Sequence, residues 1–184
     1  MLSYSTIGID PGLTNVGVCI LPWDGPVFDY LIKPKALRGI ERLDHIARDL
    51  EDYILDVVGP NSGGMVVIEG YDYKGFSTIP LAEVNSVLCL TCHRMGYKIL
   101  RAAPAQVKKF ATGNSQATKE EMMKRYGYSN EHLADARALA EIGHKMHVGT
   151  SSIRHELEVI QKLKGEKSRS RSKIKKLMPR ALAI

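Results

Sequence analysis

Asp10 closes the apolar run Thr6-Ile7-Gly8-Ile9, and Glu69 closes Met65-Val66-Val67-Ile68. Asp135 falls on the apolar stripe of a helical segment that also carries His132, Leu139, Ile142 and Met146 at spacings of three and four. A carboxylate attached to a segment that otherwise buries itself needs a compensating charge, and no Arg or Lys adjoins Asp10 or Glu69 in the sequence. Acids gathered in one partly buried place repel each other and take up protons unless a cation neutralises them. Magnesium suits that role, because it takes oxygen ligands, keeps several waters and leaves positions for phosphate oxygens. Two such ions about 4 Å apart activate water on one side of a phosphodiester and stabilise the leaving oxygen on the other. The expected chemistry is metal-assisted phosphodiester hydrolysis. Taken singly, each acid has an ordinary use: Asp10 in the Pro11-Gly12 turn, Glu69 as a strand-end cap before Gly70, Asp135 paired with Arg137. Only their joint placement favours a shared site.

The elements that must position these groups follow from the hydrophobic pattern. Residues 6–10 and 16–21 read as strands broken by Pro11-Gly12, and Asp24-Gly25-Pro26 turns the chain into a third strand over 27–32, an antiparallel start. Ile40, Leu43, Ile46, Leu50, Ile54 and Val57 recur at three and four, which predicts an amphipathic helix over 39–58 ended by Gly59-Pro60-Asn61. The continuous apolar run 65–69 predicts a strand covered on both faces. A helix over 81–95, a strand over 98–102, a short helix over 105–111, a helix over 118–126 opened by the capping box Thr118-Lys119-Glu120-Glu121, and a last helix over 130–147 follow. An initial meander followed by alternating strands and helices predicts an α/β fold with a mixed sheet flanked by helices.

Charge divides the chain. Of a net +6 over 184 residues, the segment 150–184 carries ten Lys or Arg against three Glu, a net +7, and leaves the rest at −1. We therefore expect one domain over 1–149 and a basic extension over 150–184 that is partly disordered beyond a short helical stretch. A basic tail fits nucleic acid as partner; it also fits a role in solubility alone. Cys19, Cys89 and Cys92 make no disulfide framework, and no signal peptide or long apolar span appears, so a reduced, cytoplasmic setting without a membrane is expected. Cys89-Leu-Thr-Cys92-His93 has the spacing of a c-type haem attachment site, but it lies inside an apolar helical run, where buried thiols are the expected reading.

Five segments in order, Gly8-Ile9-Asp10-Pro11-Gly12, Val67-Ile68-Glu69, Pro104-Ala105-Gln106-Val107-Lys108, Ala117-Thr118-Lys119 and His132-Leu133-Ala134-Asp135-Ala136-Arg137-Ala138-Leu139-Ala140, resemble the motifs of the RuvC family of Holliday junction resolvases. The resemblance implies a ribonuclease-H-like fold with a five-stranded sheet, a homodimer, and paired nicks across four-way DNA junctions. It implies that Asp10, Glu69 and Asp135 bind two magnesium ions, with His132 as fourth ligand, and that Lys108 and Lys119 hold DNA near the scissile phosphate, Lys119 counting among the catalytic groups. An imidazole ligand leads us to expect manganese to support activity at least as well as magnesium; the ordinary use of His132 is to start a helix. Three residues after Glu69, where cellular members place an aromatic, this chain has Asp72 flanked by Tyr71 and Tyr73, with Phe76 nearby. These rings are expected either to stack on DNA bases or to pack under a loop. The divergence and the basic extension lead us to expect a bacteriophage source.

Three other readings remain open to test. The same metal chemistry serves other branched DNA or RNA–DNA hybrids. A protein that binds junctions without cutting them has no use for three acids near phosphates. Gly8 to Asn15 also resembles the phosphate loop of actin-like kinases, which need two such domains and hence a longer chain.

Overall fold

The computed structural model describes residues 4–60, 63–70, 78–149 and 151–165. Five strands, β1 (Tyr4–Asp10), β2 (Val16–Pro22), β3 (Phe28–Ile32), β4 (Gly63–Glu69) and β5 (Lys98–Ala102), form one sheet in the order β3-β2-β1-β4-β5. The β1–β2 and β2–β3 pairs are antiparallel, and the β1–β4 and β4–β5 pairs are parallel. The expected α/β fold with a mixed five-stranded sheet is the one formed. Helices α1 (Gly39–Val58), α2 (Thr78–Arg94), α3 (Pro104–Thr112), α4 (Lys119–Tyr126), α5 (Glu131–Val148) and α6 (Arg154–Leu163) cover it. The second helix starts three residues earlier than its apolar pattern indicated. Pro80 is tolerated there, since the first turn of a helix has no use for its missing N–H.

Strand parity decides which side chain meets which layer. Ile7, Ile9, Val18, Ile20, Val66 and Ile68 enter one core with Ile46, Leu50 and Ile54 of α1 and Val84, Leu88 and Cys92 of α2. Val67 turns the other way, into a second core with Val107, Phe110, Met122, Leu139, Ile142, Val159 and Ile160 from α3 to α6. β4 is therefore covered on both faces, as its unbroken apolar sequence required. Asp10 and Glu69 share the parity of Gly8 and Val67, so both belong to the face covered by α5.

That face is shaped by two glycines. A Cβ on Gly8 would lie 1.9 Å from the Ala136 carbonyl oxygen, and a Cβ on Gly17 would lie 2.1 Å from that of His132. Their missing side chains let the α5 backbone rest directly on β1 and β2. The helix meets them with small residues, Ala136 and Ala140 being fully buried, and the Thr6 hydroxyl donates to the Ala140 carbonyl at 3.1 Å.

The helix α4 begins with the expected box: Glu121 N–H donates to Thr118 Oγ1 at 3.2 Å, and Thr118 N–H to Glu121 Oε2 at 2.7 Å. Beyond α5, α6 packs into the second core through Val159 and Ile160. Its Glu156, only 2% exposed, receives bonds from Lys145 of α5 and from the Ser151 hydroxyl. Cys92 is buried and Cys89 half-buried within α2, and all three cysteines are free thiols. Among the described residues no helix is long and apolar enough to cross a membrane. Tyr71, Tyr73, Phe76 and the basic run after Gly165 lie outside the described residues.

Candidate metal centre

β1 and β4 run parallel with Ile9 beside Ile68, so the next step places Asp10 beside Glu69 at the ends of the two central strands. The first turn and a half of α5 passes over this edge, because His132 is held against Gly17 and Ala136 against Gly8. The helix thereby adds His132 and Asp135 to the pair. Its start is fixed by Asn130, whose side chain accepts from Leu133 N–H at 3.2 Å.

The four groups influence one another strongly. His132 Nδ1 lies 2.6 Å from Asp10 Oδ2, and this bond raises the imidazole pKa. Burial, followed by the charges of Asp10 and Asp135, pushes Glu69 up to about 9. Burial, followed by Asp10, pushes Asp135 up to about 7. Lys108, from the first turns of α3, pulls both of these acids down, so the basic partner missing from the local sequence arrives from a distant element. Arg137 is not the partner of Asp135; it bonds to Glu141 at 3.0 Å on another side of α5. Lys119 is largely exposed and pairs with Glu131, the residue before His132.

The residues fit a divalent cation. Asp135 Oδ1 is buried without a hydrogen-bond partner, an arrangement that is costly unless a further group completes it. Its neighbours are carboxylates, the hard oxygen donors such cations take. Among the described residues no three of these groups form a preassembled ligand cage; one oxygen of Asp10 is engaged by His132 instead.

Sequence reasoning overlooked two residues at this edge. Asn85 of α2 is fully buried and donates to the Glu69 carbonyl oxygen at 2.8 Å, which fixes the strand end. Glu131 holds Lys119 and adds to the negative field at Asp135. A lone Asn within an apolar helix was the available signal for the first, and nothing local marked the second.

The profile of the family described as "Crossover junction endodeoxyribonuclease RuvC" matches residues 6–142. The chain belongs to the RuvC family. A RuvC from Sulfurovum sp. (strain NBC37-1) is 35% identical over 153 residues, covering 73% of this chain and 91% of that one. Thermus thermophilus RuvC has the same fold, with a TM-score of 0.60, 21% identity, and coverage of 79% of this chain and 97% of that one. A second structure, "T. thermophilus RuvC in complex with Holliday junction substrate", gives a TM-score of 0.59 at 21% identity, over 74% and 90% of the two chains. RuvC membership makes the chain a crossover junction endodeoxyribonuclease of DNA recombination and implies a metal-dependent enzyme. The bacteriophage source expected from the divergence finds no support, since these relatives are bacterial.

The electrostatics set a pH dependence. Below about 4.5 both folded and unfolded chains hold the Glu69 proton; from there up to about 9 the unfolded chain ionises and the folded one resists. Asp135 behaves alike from 3.8 to about 7, and the raised pKa of His132 acts in the same direction. In chelator the melting temperature is expected to fall by roughly 5 °C between about pH 5 and pH 9, and saturating divalent cation should flatten that slope. Circular-dichroism melts measure it, and a melting temperature that rises with pH in chelator would contradict the crowding of these acids.

Proposed function

We propose that the chain resolves four-way DNA junctions as a homodimer, each subunit nicking one strand with Asp10, Glu69 and Asp135 as ligands of two magnesium ions and His132 as a fourth ligand. The ions, when bound, supply Lewis-acid neutralisation of charge at the scissile phosphodiester. The chain's own groups do the rest. Asp10 and Glu69 hold their positions through the strand ends, and the α5 backbone seated on Gly8 and Gly17 fixes Asp135 against them. His132 orients Asp10 through the 2.6 Å bond and exchanges that bond for its role as ligand. Lys108, whose charge reaches both Glu69 and Asp135, holds a phosphate of the cut strand beside them. Lys119 stands at the outer edge against Glu131, ready to exchange that pair for a DNA phosphate. Tyr71 and Tyr73 are assigned to stacking on junction bases.

The observation that carries this reading is the buried, unpartnered Asp135 oxygen among acids whose ionisation the fold alone does not stabilise. Such an edge calls for a cation, and its basic neighbours call for phosphate. The experiment compares cleavage of a four-way junction, a flap, a plain duplex and an RNA–DNA hybrid, each in magnesium and in manganese. The expected result is symmetric nicking of the junction at least ~100-fold faster than of the duplex, with manganese at least equal to magnesium. Preferential cutting of the hybrid would overturn the junction assignment, and clearly weaker activity in manganese would remove His132 from the ligand set.

A further inference from the structure

The backbone groups at the end of β4 can be accounted for one by one. In a parallel sheet the N–H and C=O of a residue point to the same neighbouring strand, and successive residues alternate between the two neighbours. Gly70 N–H donates to the Ala102 carbonyl oxygen of β5 at 2.8 Å, so Gly70 faces β5 and Glu69, one residue earlier, faces β1. With Ile9 beside Ile68, the ladder donor for the Glu69 carbonyl oxygen would be the nitrogen of residue 11. That residue is Pro11, and its nitrogen carries no hydrogen. The β1–β4 register ends at Ile9 and Ile68, one residue short of the acids. The ladder thus runs out where the Glu69 side chain enters the metal centre.

The missing donor comes from α2. Asn85 is fully buried, and its Nδ2 donates to the Glu69 carbonyl oxygen at 2.8 Å. A carbonyl oxygen only accepts, so the amide has to turn its nitrogen to β4 and its own oxygen back along α2. There, one turn on, Cys89 Sγ donates to Asn85 Oδ1 at 3.6 Å, and Arg101 of β5 donates to Cys89 Sγ at 3.5 Å. The donors in this row all point one way, from the Arg101 guanidinium to the main chain of Glu69, so each bond strengthens the next. An amide buried beside Val84 and Leu88 of the first core costs free energy unless it is bonded. Here both of its ends are bonded.

We infer that Asn85 is a positioning residue for the nuclease reaction: it stands in for the N–H that Pro11 lacks and fixes the main chain of Glu69, so that the carboxylate keeps its place beside Asp10 and Asp135. Cys89 sets the direction of the amide. This rests on the reading of those acids as the metal-binding site that cuts DNA. Asn85 acts through Glu69 alone, and its effect is on how tightly the site takes its cation.

The test uses substitutions in the full chain. Asn85→Leu keeps the volume and deletes both bonds; Asn85→Ala takes its place if the leucine variant does not fold. Pro11→Ala returns an N–H to the ladder and is made alone and together with Asn85→Leu. Two titrations are run: nicking of a four-way junction against magnesium, and melting temperature against manganese without DNA, which reads cation affinity apart from cutting. Asn85→Leu is expected to raise the half-saturating concentration of either ion by at least ~10-fold. Its junction binding should stay within about three-fold of wild type, and its nicking rate at saturating magnesium should fall by less than about five-fold. Pro11→Ala alone should remain within about three-fold of wild type, and the double variant should regain cation affinity to within about three-fold of wild type. A lower melting temperature with unchanged cation affinity overturns the positioning role and leaves Asn85 a bond of the fold alone. A double variant as weak as Asn85→Leu overturns the replacement of the ladder donor. Failure of the wild-type chain to take up either ion or to nick any junction is a different outcome, for it refutes the metal centre itself.

Discussion

Asp10→Asn is expected to leave four-way junction binding within about three-fold of wild type while lowering nicking in magnesium by at least ~10³-fold. The substitution keeps the shape of a residue that is only 5% exposed, and so preserves its packing at the end of β1. What it removes is charge, and charge is what this edge uses. Asp10 is the group that the pKa shifts of Glu69, Asp135 and His132 have in common, and it also bonds to the imidazole. Without its carboxylate the remaining acids repel each other less, so in chelator the variant should melt at or above the wild-type temperature. Loss of nicking together with retained or increased stability separates a catalytic cause from a folding one. Nicking equal to wild type would remove Asp10 from the mechanism. A variant that neither binds nor folds would show that the carboxylate serves structure.

Gly8→Ala is expected to lower the melting temperature by roughly 10 °C and the nicking rate by about 100-fold, through one added methyl group. That methyl would meet the Ala136 carbonyl oxygen at 1.9 Å and the Ala140 nitrogen at 2.4 Å, both backbone atoms of α5. Backbone cannot swing aside as the end of a side chain does, so the helix itself must lift or slide. Because α5 carries His132 and Asp135, any such movement draws them away from Asp10 and Glu69. Gly63→Ala is the control: nothing lies within 4 Å of its added carbon, and it belongs to a neighbouring strand of the same sheet. Its melting temperature should stay within about 2 °C of wild type. Equal behaviour of the two variants would mean that α5 is not seated as described.

The order of elements was readable because most of them announce themselves with one period. The alternation of Ile7 and Ile9 around Gly8, the continuous Val66-Val67-Ile68 run and the three-and-four spacing of α1 each allow one solution, and the sheet contains them all. Asp135 was likewise legible, since a charge on an apolar stripe has to point inward. What local pattern could not convey was everything created by long-range approach. Lys108 becomes the neighbour of Glu69 only through the crossing of α3. Gly8 and Gly17 look like ordinary glycines until a helix lies on them. Asn85 looks like a polar interruption of an apolar helix until it meets the Glu69 carbonyl. The docking of α6 was obscured by its composition: a charged stretch at the start of a basic tail hides Glu156, whose buried position depends on a lysine eleven residues away.

The way α5 completes the site also governs when the enzyme comes into being. His132 and Asp10 are separated by 122 positions, and the last strand ends at Ala102, so all five strands precede His132 and Asp135 in the chain. A fragment containing all five strands but lacking α5 keeps Asp10 and Glu69 without His132 and Asp135, and on the proposed assignment of these four groups it is expected not to nick DNA. Because such distant segments must meet before the centre exists, competence arrives with the last long-range contact. On the proposed assignment, nicking is expected only after α5 has docked on β1 and β2.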